Sequence, residues 1–138
     1  MKKQKPTADV ILRELVRGLV KEYQDPENII PIEEVKTGDT IAWLYKSHNV
    51  NMVYPLGVSL MKVKEISKSP VIDSNLYHVV TEMFAGFQID PVTGSLNPGG
   101  ILFDNLTIIN PDIGEIVRAT EDQIRTAYDA TNMFKKGS

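Results

Sequence analysis

The segment Thr40–Lys46 is apolar on both of its alternating sets: Ile41, Trp43 and Tyr45 share one face of a strand, Ala42 and Leu44 the other. Such a strand can be covered on both faces. The turn signal Lys36-Thr37-Gly38-Asp39 leads into it and marks the start of the β part.

A second long strand is predicted over residues 58–66, carrying Val58, Leu60, Met61, Val63 and Ile66. Its alternation slips near the middle, the signature of a bulge. After a turn over 68–75 containing Pro70, residues 76–87 resume as a central strand, with Leu76, Val80 and Phe84 alternating against Tyr77, Val79 and Met83. Residues 90–100 hold the longest run of turn chemistry and are predicted as an exposed loop. Short strand pieces follow at 101–103, 106–109 and 113–118, a spacing that suggests a small curled sheet or barrel.

Helices are predicted at both ends. Thr7 is placed as the N-cap of an amphipathic helix over 7–24, whose apolar face holds Leu12, Val16 and Leu19 and which Asp25-Pro26 stops. Arg13, Arg17 and Lys21 recur at i, i+4 and form one basic stripe on the opposite face. Gly18 is read as a point where another backbone can come close. Thr120-Glu121-Asp122-Gln123 matches a capping box, so a short helix is predicted from 120 to 132, fraying near Asn132. The expected fold is α+β: a small antiparallel curled sheet or barrel over 37–118, with a long N-terminal helix and a short C-terminal one.

The chain has 138 residues, within the size of one domain, and 1–138 is read as a single unit. With no cysteine there is no disulfide framework, thiolate site or cysteine nucleophile, which points to the cytoplasm. The basic N-terminus imitates a signal peptide, but Arg13, Glu14 and Arg17 break the apolar stretch that should follow. No run of 18 apolar residues occurs, so a soluble chain with no membrane span is expected. The formal charge of −3 hides an asymmetry: up to Gln24 six basic residues face three acidic ones, and the remainder carries nine basic against fifteen acidic. A basic helix on an acidic body suits a protein partner or self-association.

Candidate chemistry is sparse. His48 and His78 stand thirty positions apart with no acidic pair at ligand spacing, so no metal and no cofactor is expected. No Ser, His and Asp set stands in a nucleophile-elbow context. Glu82, Asp90 and Asp104 could converge as a carboxylate group, but acids at sheet edges are usually solvated, and no catalytic residue is assigned. The acidic sheet segment, with aromatics at core spacing, argues against nucleic acid.

The opening Gly38-Asp39-Thr40-Ile41, the strand Val63-Lys64-Glu65-Ile66 and the ending Ile116-Val117-Arg118-Ala119-Thr120-Glu121-Asp122-Gln123-Ile124 resemble small barrel proteins encoded by bacteriophages and prophages. The resemblance covers roughly residues 37–128 and implies a chain that rolls up and ends in a short helix. It also implies an accessory factor that binds a host protein, a virion component or a small signalling molecule, and it carries over no functional residue.

Three functional expectations follow. The first is a non-enzymatic interaction protein, such as a phage accessory factor modulating a host protein or defence, with Leu12, Arg13, Val16, Arg17, Leu19 and Lys21 as its interface. The second is an oligomer that sequesters a small nucleotide-like ligand between loop and sheet, drawing on Phe84, Phe87, Thr93, Ser95, Asn97, Phe103, Arg118 and Arg125. The third is a structural component of a phage virion.

Overall fold

The structure, a computed structural model, describes residues 7–46, 56–71, 73–89, 96–97 and 106–136. Helix α1 (Ala8–Gln24) is followed by two short 3-10 turns (Pro26–Asn28 and Ile32–Glu34), strands β1 (Thr40–Lys46), β2 (Leu56–Lys68), β3 (Tyr77–Ile89), β4 (Leu96–Asn97), β5 (Leu106–Ile109) and β6 (Gly114–Arg118), and helix α2 (Glu121–Lys136). The fold is α+β, with one antiparallel sheet and a helix at each end of the chain.

The sheet runs β4-β3-β2-β1-β6, and β5 joins the same edge of β3 as β4. Between Asn97 (opposite Gln88) and Leu106 (opposite Val80) the chain advances nine residues while β3 advances eight. The two pieces therefore flank one strand almost in register. The expected loop over 90–100 is corrected here, because β4 lies within it.

Connectivity forces this sheet to curl. Gly114 pairs with Tyr45, Tyr45 with Gly57 and Gly57 with Gln88, whereas Ile109 pairs with Tyr77 at the far end of β3. On a flat sheet that offset alone would separate Ile109 from Gly114 by about 36 Å. Five Cα steps reach only about 18 Å. The β2–β3 hairpin accordingly bends over, and Asn75 near its tip donates a 3.0 Å hydrogen bond to Asp112 in the β5–β6 turn. No pairing among the described residues joins β5 to β6, so the roll stays open.

The bend is made by the expected bulge. The register of β2 and β3 shifts between Lys62 and Val63 and again between Val63 and Glu65, leaving Lys64 and Glu82 unmatched. One extra residue on each strand swaps the two faces. Before it, Val58, Leu60, Ala85, Phe87 and Ile89 face the helices; beyond it, Ile66, Tyr77 and Val79 face the interior of the roll. The predicted grouping of Val80 with Phe84 fails for this reason.

Two apolar layers result, as the two-faced β1 requires. Ala42 and Leu44 join Leu12, Val16 and Leu19 of α1 and Ile124, Ala127 and Ala130 of α2 in the outer layer. Ile41 and Trp43 join Met61, Val63, Val79, Ile109 and Ile116 inside the roll, plugged by Ile32 and Val35 from the second 3-10 turn. The segment after α1 also covers the outer edge of β6. Ile29 bridges Val117, and the Ile30 N–H donates to the Ile116 carbonyl at 2.8 Å. An otherwise open strand edge is thereby closed.

The helix ends differ in how they are held. Thr7 sits at the N-cap of α1 with extended backbone but makes no side-chain capping bond, and Asp25 beyond its end caps the next turn by accepting the Glu27 N–H at 3.0 Å. Thr120 and Gln123 form the full capping box, Gln123 N–H to Thr120 Oγ1 at 3.1 Å and Thr120 N–H to Gln123 Oε1 at 2.9 Å. Helix α2 does not stop near Asn132 but continues to Lys136, so it is nearly as long as α1. Buried Ala130 and Thr131 hold its later turns, with the Thr131 hydroxyl donating to the Tyr128 carbonyl at 2.8 Å. Gly18 is exposed, and a Cβ there would meet nothing within 4 Å, so among the described residues no backbone outside its own helix approaches it.

Candidate functional site

Alternation along β3 separates the aromatics proposed to stack on a ligand. Phe84 and Phe87 are three positions apart, which places them on opposite faces of a strand. Phe87 is 2% exposed in the helix-side layer, whereas Phe84 packs against the interior of the roll. Phe87 therefore has no free ring to stack on a ligand, while Phe84 is half-buried. Arg118 is exposed on β6 and Arg125 is exposed on α2. Asn97 belongs to β4, and Thr93, Ser95 and Phe103 lie outside the described residues. The described members of the set do not converge.

The proposed interface on α1 divides. Leu12 and Leu19 are fully buried and Val16 is 4% exposed, all within the chain's own outer layer. Each contributes roughly 1.5–3 kcal/mol to this fold, so of the two packings open to this face, sheet or second copy, the single chain shows the one against its own sheet and α2. Arg13, Arg17 and Lys21 are exposed, as the stripe required. Glu82, one of the three carboxylates considered for acid-base work, is an exposed bulge residue 3.8 Å from Lys62 Nζ, while Asp90, Asp104 and His48 lie outside the described residues. His78 is half-buried opposite Ser67 and Ile108. No cluster of metal-ligating side chains occurs among the described residues.

One apolar surface is left uncovered among the described residues. The large hydrophobic side chains exposed among the described residues are Val71 (66%), Leu106 (53%) and Ile108 (49%). Val71 lies in the β2–β3 turn and the other two on β5, where cross-strand pairing sets them in two rungs. Glu65, Val80 and Leu106 form one rung; Ser67, His78 and Ile108 form the next. Every strand residue of the helix-facing layer lies on the near side of the bulge or on β1 and β6. The outer face beyond the bulge therefore has neither α1 nor α2 over it, while the alternate residues Thr107 and Ile109 turn inward. Sequence reasoning missed Leu106 and Ile108, because Leu-Thr-Ile-Ile does not reveal which alternate set is buried.

Two concavities lie elsewhere, neither lined by Val71, Leu106 or Ile108. A cleft of about 440 Å³ between α1 and the ends of β1 and β6 is lined by Val20, Leu44, Leu56 and Ile113, with Lys46, Asp112 and Glu115. A more polar groove of about 530 Å³ gathers Glu22, Glu27, Glu33 and Glu34 around Lys36 and Arg118. Tyr45 also borders the first cleft, and burial pushes its phenol up, partly offset by a hydrogen bond with Ser59. It stacks on Trp43, ring centroids 4.1 Å apart at 24°, and the buried Trp43 indole N–H has no hydrogen-bond partner among the described residues.

No helix among the described residues is long and apolar enough to cross a membrane. Comparison with known proteins finds no matching family, no similar curated protein and no similar solved structure.

Proposed function

We propose that this chain is a non-enzymatic interaction protein that engages another protein across the outer face of β5 and the adjoining β2–β3 turn. The observation that carries the reading is the pair Leu106 and Ile108, half-exposed side by side on an edge strand whose helical cover stops at the bulge. An uncovered apolar strand is a template for strand addition or side-chain docking. Leu106, Thr107, Ile108 and Ile109 include none of the lysines or prolines that commonly blunt such edges. The patch is small, so it suits a transient contact rather than an obligate interface. The resemblance to phage and prophage barrels supplies the setting: a cytoplasmic accessory factor acting on a host protein.

The test is site-specific photo-crosslinking in producing cells, with a benzophenone amino acid at position 106 or 108 and, as the contrast, at position 17 on the basic stripe. A discrete adduct from 106 and 108, lost when the neighbouring residue is changed by Ile108→Lys or Leu106→Lys, supports the reading. Adducts from position 17 alone would transfer the contact to α1 and sink it. Both lysine variants should keep the circular dichroism and melting temperature of the parent, because half-exposed side chains contribute little to the fold.

A second reading rests on the 440 Å³ cleft, whose apolar wall of Val20, Leu44, Leu56 and Ile113 suits a small ligand. Phe84 and Phe87, expected to stack on a nucleotide, are not part of its lining, so an apolar or amphipathic molecule fits better. Ligand selective for the folded state raises the melting temperature; flat curves across a panel of nucleotides and small amphiphiles would remove this reading.

A further inference from the structure

We draw no further inference here: the strongest candidate, the polar groove where the end of α1, residues 25–36 and Arg118 of β6 meet, is a cluster of glutamates, and nothing in the structure shows what would occupy it.

Discussion

The ring of Tyr45 lies over Gly57, its partner on the neighbouring strand, so closely that a Cβ at position 57 would collide with the Cζ end of the ring. On its other side Tyr45 pairs with Gly114, where a Cβ would meet the Leu44 carbonyl oxygen and the Tyr45 backbone. A large aromatic thus lies between two glycines on the neighbouring strands, where any side chain would collide with it.

The two glycines should therefore respond differently to alanine. Gly57→Ala forces a side chain to move, and overpacking of this kind costs about 1–3 kcal/mol. Removing the ring with Tyr45→Ala makes room, so the double variant should recover most of that penalty as a coupling between the sites. Gly114→Ala meets backbone and gains no such relief. Urea denaturation followed by fluorescence of Trp43, the single tryptophan, measures the three single variants and the double. Equal penalties at both glycines, unaffected by the ring, would show that Tyr45 does not occupy the space over Gly57.

Gly18 has the opposite character. It sits inside α1, exposed and with nothing near its missing side chain. A helix-interior glycine is less stable than alanine by roughly 0.5–1 kcal/mol, with no packing reason here to offset it. Gly18→Ala should stabilise the protein by about that amount, read as a higher urea midpoint at unchanged slope. A loss of stability would mean that a neighbour does approach this face.

The capping box gives a third measurement. Thr120→Ala removes the acceptor for the Gln123 N–H, and loss of such a cap costs typically about 1 kcal/mol. Gln123→Ala removes only the reciprocal bond to the Thr120 N–H. The Thr120 change should have the larger effect, and hydrogen exchange should rise first in the opening turn of α2. Uniform exchange along α2 would argue that packing, not the cap, holds the helix start.

Local chemistry explains which parts of the fold were legible. The bounds of β1, the bulge in β2 and the start of α2 each rest on a few adjacent residues: alternation, a slipped period, a capping box. The end of α2 was not readable, because Ala130 and Thr131 are held by burial in the tertiary fold rather than by any stop signal. The role of α1 was half readable. Its periodicity shows that Leu12, Val16 and Leu19 share a face, but not whether that face meets the sheet or another copy. The separation of Phe84 from Phe87 follows from their spacing of three along a strand, whereas the exposure of Leu106 and Ile108 depends on where the helices end. That limit is imposed by the bulge, a long-range consequence of one extra residue on each of two strands.

The bulge is also tied to α2, and this tie should make stability depend on pH in both directions. Lys62 Nζ lies 2.6 Å from Glu121 Oε1 and 3.8 Å from Glu82 Oε2. The hydrogen bond and charge of Glu121, with a smaller contribution from Glu82, raise the Lys62 ammonium above its ordinary value. The same bond and charge of Lys62 hold the Glu121 carboxyl below the usual carboxylate range, with Arg125 adding a little. A carboxyl depressed on folding stabilises above its unfolded value, about 4.3, and that contribution is lost as pH falls through the lower folded value. An ammonium raised on folding stabilises below its unfolded value, about 10.4, and that contribution is lost as pH rises through the higher folded value. The pair thus acts between these limits and fades at both ends. The melting-temperature gap between the parent and Lys62→Met should be widest near neutral pH, narrow towards acid and towards strong alkali, and shrink in 1 M salt, where charges are screened within about 3 Å. The effect is small because the two side chains are 26% and 44% exposed. A gap that widens on acidification would show that Glu121 is not held by Lys62, and that α2 is fastened to the bulge by packing alone.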